Sequence, residues 1–211
     1  MKHLSLLIYI IIASFLSDGA MAQNVKLPEP DKKGGMPLMQ ALNERSSHRE
    51  FNSKELTLDH LSGLLWAACG INRQENGKRT APSAMNWQDV KVYVFMKSGI
   101  YLYSEADHQL ELIKDGDHRA AAGSQDFVAA APVNLVYVSD LSLMKQAAEK
   151  DKEFYAGFDT GFISQNVYLF CASEGLNTVV RASVDREALH LLMELKPEQH
   201  VVAGQTVGYK P

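Results

Sequence analysis

The stretch from Ala147 to Asn177, "AAEKDKEFYAGFDTGFISQNVYLFCASEGLN", carries the longest helical pattern in the chain. Its apolar residues Phe158, Phe162, Val167, Leu169 and Phe170 are not confined to one stripe. A helix that is apolar on more than one side needs neighbours around it and cannot simply rest on a surface. Gly175 supplies its stop signal. Any fold for this chain must therefore cover that helix with other layers.

Strands supply those layers. "VNLVYVSD", Val133 to Asp140, is a nearly continuous apolar run and predicts a strand buried on both faces. "VKVYVFM", Val90 to Met96, alternates and is rich in β-branched and aromatic residues. "GIYLYSEADHQLELI" reads as a strand, a turn at Ala106-Asp107-His108, and another strand, a small antiparallel meander. "TVVRASV" from Thr178 and "QHVVAGQTVGYKP" from Gln199 to the C-terminus are two further strands.

Between them lie shorter helical patterns. In "TLDHLSGLLWAACG", Thr57 is the N-cap, Gly70 the stop, and Leu58, Leu61, Leu64, Leu65 and Ala68 form the stripe. Another helix starts near Pro37, with Leu38, Met39 and Leu42 on its apolar face. "GSQDFVAAAP" predicts a short helix closed by Pro132, and "DREALHLLMEL" one capped by Asp185. Ile71 to Asp89 has no period and many turn formers, so it reads as a long loop. Interleaved helices and strands with an early antiparallel segment make the fold class α+β, a sandwich of sheet and helices.

Residues 1–22 read as a secretory signal peptide. Lys2 and His3 precede an apolar run from Leu4 to Leu16, and Ala20-Met21-Ala22 offers a small-x-small cleavage site. The run falls short of the roughly 20 residues that span a bilayer, so cleavage and a periplasmic or secreted product are expected, with no stable membrane insertion. Residues 23–35 read as a partly mobile arm, and residues 36–211 as one domain large enough for a real core. A net charge of −4 gives no basic excess for nucleic acid. Cys69 and Cys171 both sit in apolar helical patterns; they can pair in an oxidising compartment, or remain buried thiols, the simpler reading. The histidines show no metal-ligand spacing, and Asp115-Gly116-Asp117 reads as a turn.

Three segments could carry chemistry. In "ERSSHREF", Arg45 and Arg49 stand four apart around Ser46, Ser47 and His48. A phosphate monoester fits such a cluster, because each charged hydrogen bond contributes roughly 1.5–3 kcal/mol and can outweigh the repulsion between guanidiniums. A solvated helix end is the alternative. "RTAPSAMNWQD" places Pro82, Ser83, Asn86 and Gln88 just before a strand. Their amides suit the edge of a planar heterocycle, or an ordinary polar turn. In "GLNT", Gly175 allows close backbone approach to a ligand, or serves as a plain helix cap.

These segments, with "GFISQNVYLFCASEGLNTVV" and the terminal "VGYKP", occur in the order and spacing of the FMN-dependent nitroreductase family, which the chain resembles from about Pro37 to Pro211. The resemblance implies a central, mostly antiparallel sheet flanked by helices and an intertwined homodimer with FMN at the interface. It implies that Arg45, Ser46, Ser47 and Arg49 hold phosphate and ribityl oxygens. Pro82, Ser83, Ala84, Met85 and Asn86 would form the loop that reaches the flavin from the second subunit. Gly175 and Leu176 would lie against the ring, and Lys210 is the one residue left to replace the family's C-terminal basic contact. His48 reads as a helix-end packing residue. Arg181 is a candidate for stabilising reduced flavin, or a surface salt-bridge arginine.

The activity implied is hydride transfer through flavin N5 by a ping-pong route, reducing a nitroaromatic, quinone or similar small organic acceptor. That chemistry needs no side-chain acid or base, and no catalytic dyad is read. NAD(P)H is the expected donor for such enzymes, but export would separate the chain from it, so the donor stays open. Two alternatives remain: an FMN-dependent dehydrogenase of the azoline-oxidising type, and an exported flavin-binding protein without turnover.

Overall fold

The structure, a computed structural model, describes residues 23–211; the signal-peptide reading of residues 1–22 lies outside the described residues. Seven strands form one antiparallel sheet: β1 (Val25–Lys26), β4 (Val90–Met96), β5 (Gly99–Ser104), β6 (Gln109–Asp115), β7 (Val133–Asp140), β8 (Leu176–Arg181) and β9 (Gln199–Tyr209). Their order is β1-β6-β5-β4-β7-β9-β8. The helices are α1 (Leu38–Glu44), α2 (Leu58–Cys69), α3 (Asp126–Ala130), α4 (Glu149–Ser173) and α5 (Arg186–Leu192). The fold is α+β, with the sheet flanked by helices on both faces.

Strand β7 explains the layering. It pairs with β4 on one side and β9 on the other, and seven of its eight residues are buried. Its period-2 alternation sends Leu135 and Tyr137 into a core shared with Leu61, Leu64 and Leu65 of α2 and Ile163, Val167 and Cys171 of α4. Val136 and Val138 enter a second core with Leu189 and Met193 at α5. The sheet is therefore dry on both faces, which produces the continuous apolar run of β7.

Local signals act as read. Thr57 Oγ1 accepts from the His60 amide at 3.2 Å, and Asp185 Oδ1 accepts from the Ala188 amide at 3.0 Å. Cys69 and Cys171 are free and buried. Three expectations change. The loop from Ile71 to Asp89 contains a hairpin, β2 (Ile71–Arg73) with β3 (Lys78–Arg79), and a 3₁₀ turn over Ala84–Asn86. The hairpin strands are too short and too polar to show a period. The arm expected to be mobile is fastened: Val25 and Lys26 pair with Leu110 and Gln109, and Leu27 is buried in the core. The apolar face expected for α1 points outward, with Leu38 62%, Met39 76% and Leu42 45% exposed. Within the described residues, no helix is long and apolar enough to cross a membrane.

Candidate functional site

The arginine segment leaves α1 in extended form and is tied along the ends of β8 and β9. The His48 amide donates to Thr178 O at 3.0 Å, Asn177 Nδ2 donates to Glu50 O at 2.8 Å, and the Asn52 amide donates to Tyr209 O at 2.9 Å. Beneath it sits Tyr168 of α4, itself buried. Its hydroxyl shares a 2.8 Å hydrogen bond with Ser47 Oγ and accepts one of 3.0 Å from the Val180 amide. The Arg45 guanidinium lies 5.3 Å from the centre of the Tyr168 ring, a cation–π contact.

Among the described residues, Arg45, Arg49 and Lys210 form no ion pair. A recess of about 30 Å³ brings Ser46, His48, Tyr168, Leu176 and Lys210 together. His48 is exposed rather than packed, with Nε2 2.7 Å from Ser46 Oγ. The short polar side chain at Ser46 offers the ring a partner in solvent, which the packing expectation left out. Gly175 takes φ +69° at the end of α4, and a Cβ there would meet nothing within 4 Å. The glycine is thus required by its left-handed backbone, and open space lies beside it.

The Pro82–Asn86 loop is built differently. Met85, Asn86 and Gln88 all have positive φ, at 49°, 57° and 51°. Non-glycine residues take that conformation at a cost, so the surroundings must hold them there. Ser83 Oγ accepts from the Gln88 amide at 2.9 Å. The Ala84 amide donates to both carboxyl oxygens of Asp159 at 3.0 Å. Trp87 Nε1 donates to Gln146 at 2.8 Å, and its ring meets Tyr155 edge-on. Met85 and Asn86 project outward. Gln88 is half-buried instead: its side-chain amide donates to Gly77 O at 3.1 Å and to Asn86 Oδ1 at 3.4 Å.

Asp159 is only 1% exposed and Asp89 is wholly buried. Burial, with the neighbouring Asp89 carboxyl adding to it, pushes the Asp159 carboxyl up to about 7 against the opposing pull of the Ala84 amide. Nothing in the sequence reading pointed to this pair or to Tyr168. The available signal was Asp159, the single carboxylate in the apolar stretch from Phe154 to Ser173 of the long helix.

The expected site residues therefore form two groups. Arg45, Ser46, Ser47, Leu176 and Lys210 gather near Tyr168; Ser83, Ala84, Met85 and Asn86 gather near Asp159. Nine residues of α4 separate Tyr168 from Asp159, about 14 Å along the axis at 1.5 Å per residue. One chain does not unite the groups. Two larger cavities, of about 610 and 620 Å³, contain none of these residues. Arg181 belongs to neither group. It is buried and makes no salt bridge among the described residues; it donates to Ala122 O, Asn134 Oδ1 and Thr206 Oγ1, and burial lowers its pKa to about 10. Both readings of Arg181 fail because β8 points it into the sheet's packed end.

The layered α+β fold, with Ser46, His48 and Lys210 around a recess at the end of its long helix, belongs to the class of flavin-type oxidoreductases. Residues 42–209 match the model of the Nitroreductase family. The provisionally named nitroreductase MJ1384 of Methanocaldococcus jannaschii is 32% identical over 197 residues, 88% of this chain and 96% of that protein. The crystal structure of a provisionally named nitroreductase from Ralstonia eutropha JMP134 superposes with a TM-score of 0.86 at 41% identity, covering 92% of each chain. The NADPH:FMN oxidoreductase of Vibrio harveyi shares the fold, with a TM-score of 0.62 at 20% identity over 82% of this chain and 68% of that one. The chain belongs to the nitroreductase family.

Proposed function

We propose that this chain is an FMN-dependent oxidoreductase that works as a homodimer. The observation that carries the reading is the set of three cations, Arg45, Arg49 and Lys210, which have no carboxylate ion-pair partners among the described residues; Arg45 lies over the Tyr168 ring that Ser47 bonds, and Lys210 shares the recess with Ser46. A phosphate monoester supplies the missing countercharge and accepts from guanidinium, hydroxyl and ammonium donors. The open space at Gly175 and the buried backbone of Leu176 offer a wall for a flat ring.

The second subunit follows from size. Small-molecule pockets measure about 300–1,000 Å³, and the recess in one chain holds about 30 Å³. A partner has to complete it. The partner's Ser83–Asn86 loop, with Met85 75% exposed, is the proposed closing wall. The dimer face would include the outward residues of α1 together with Phe154 and Phe158 of α4, 68% and 51% exposed. Gly157 and Gly161, one turn apart, leave room for a second helix to approach closely.

FMN supplies the hydride chemistry when bound. This chain's residues bind the phosphate, fix the ring's plane and shield the cleft from water. Donor and acceptor would use that cleft in turn, with a nitroaromatic, a quinone or a similar small organic acceptor as the second reactant. Export through a cleaved leader is proposed as well; a mature chain starting at Gln23 in the periplasmic or secreted fraction tests it.

The main test is titration of purified apoprotein with FMN. Submicromolar binding, bleaching by NADH or NADPH, and reoxidation by a quinone or nitroaromatic are expected. Replacing Arg45 and Arg49 together by Gln should weaken binding by about 100-fold or more, at roughly 1.5–3 kcal/mol per charged hydrogen bond. Undiminished affinity in that double variant would sink the reading.

A further inference from the structure

Two buried, neighbouring carboxyl groups beneath a strained loop are unusual enough to need a role. Asp89 and Asp159 are 0% and 1% exposed. Asp89 Oδ2 accepts from Ser139 Oγ at 2.6 Å, while Asp89 Oδ1 finds no protein donor. Two bare carboxylates cannot stay side by side in a buried site, and a proton held between them supplies the missing donor. The Ala84 amide favours a charged Asp159 but does not offset burial and the Asp89 carboxyl.

The neighbouring charges are spent elsewhere. Arg79, from the β2–β3 hairpin, donates to Val90 O and pairs with Glu105 at 3.1 Å. Lys91 on β4 pairs with Glu105 at 3.3 Å. Asp140 on β7 accepts from the Ser142 amide. The turns of α4 on either side of Asp159 present Tyr155, Ala156, Phe162 and Ile163, and Pro82 to Gln88 contains no charged residue.

We propose that Asp159 is a positioning residue: it shares one proton with Asp89 and thereby holds Ser83–Asn86 in the shape that faces the flavin. Only the last step rests on the FMN reading. Both oxygens of Asp159 take the Ala84 amide, so the carboxyl fixes where the left-handed turn begins. When the proton leaves, two buried charges repel and water must reach them; the Ala84 amide, which favours the charged form of Asp159, is a single neutral donor against that repulsion. Asp89 is tied to β7 through the Asp140 amide and Ser139, and Asp159 is fixed in α4. The cover that yields is the loop, where Met85 and Asn86, and Gln88 just after it, relax from positive φ when its anchor moves.

The test uses the full chain, first without flavin. Trp66→Phe leaves Trp87, directly after the loop, as the sole indole. Its emission should shift between pH 5.5 and 8.5 with a midpoint near 7, where the Asp159 carboxyl loses its proton. Asp159→Asn keeps an acceptor for Ala84 and adds a donor for Asp89, so the low-pH emission should persist to pH 9. Asp159→Ala should show the high-pH emission throughout; if it does not fold, the Asn variant carries the test. FMN affinity should fall about tenfold from pH 6.5 to 8.5 in the parent and less than about twofold in Asp159→Asn, tenfold being one pKa unit of coupling. The difference between proteins is the readout, since the flavin phosphate is common to both. A silent Trp87, or an Asn variant that titrates like its parent, overturns the inference. A Trp87 transition that follows Asp159 while no FMN binds at any pH leaves the loop-holding role standing and removes the flavin reading instead.

Discussion

The Tyr168 hydroxyl lies 2.8 Å from Ser47 Oγ, a residue 121 positions away in sequence. The same hydroxyl accepts from the Val180 amide, and the same ring lies under the Arg45 guanidinium. One buried phenol thus joins the long helix, the edge strand and the arginine segment. Tyr168→Phe keeps the ring and removes both hydrogen bonds. A neutral hydrogen bond contributes about 0.5–1.5 kcal/mol, so FMN affinity should fall roughly three- to tenfold with the cation–π contact intact. Isothermal titration of apoprotein checks this. A Tyr168→Phe variant that binds FMN as the parent does would mean that Ser47 needs no support.

The outward face of α4 yields a second prediction. Within one chain, Gly161 sits in a helix with open space where a Cβ would be. Gly161→Ala should therefore stabilise an isolated subunit by up to about 1 kcal/mol on helix propensity alone. Against a second helix packed at that point, a larger side chain acts the other way. Gly161→Leu should raise the dimer dissociation constant at least tenfold and release FMN in parallel. Analytical ultracentrifugation with absorbance at the flavin band reads both together. A monomeric parent that holds FMN tightly would contradict the two-subunit site.

What the sequence disclosed follows from which interactions are local. Thr57 and Asp185 cap their helices through contacts three residues away, and the alternation of β7 is visible in eight consecutive letters. The family membership came from short segments in order. The assembly of the recess was not legible, because Ser46, Tyr168, Leu176 and Lys210 meet only after β8 and β9 pair. The direction in which α1 faces was misjudged for a related reason: an apolar stripe states that something covers it and not which chain does so. Arg181 was misplaced because a charged letter in a strand reads as surface, whereas three neutral acceptors on separate segments take it inside.

Arg181 also makes Gly204 testable. A Cβ at position 204 would stand 2.6 Å from Arg181 Nη1 and 3.3 Å from Ala122 O. The guanidinium cannot swing aside without abandoning Ala122, Asn134 and Thr206 in a buried site. Gly204→Ala should cost about 1–3 kcal/mol, the range for overpacking a filled core. Gly157→Ala, with nothing within 4 Å, is the matched control within a subunit. Urea unfolding of the two variants under conditions that keep the chain monomeric separates them. Equal midpoints would show that the arginine is free to move.

The buried carboxyl pair makes a final prediction about stability and pH. Asp159 is raised from its ordinary 3.8 to about 7, first by burial and then by Asp89. Between those values the folded chain keeps a proton that the unfolded chain has released, so stability must fall as pH rises. The contribution is fully present below about pH 4, declines through the intervening range, and is gone once pH passes about 7. A shift of this size corresponds to a few kcal/mol, on the order of 1.4 per pKa unit. Asp159→Asn has no such proton to lose. Its unfolding free energy should therefore vary less between pH 4.5 and 7.5 than the parent's, and the two curves should converge toward acid. Parallel curves would mean that the pair is ionised in the folded chain and that the Ala84 amide is held by charge alone.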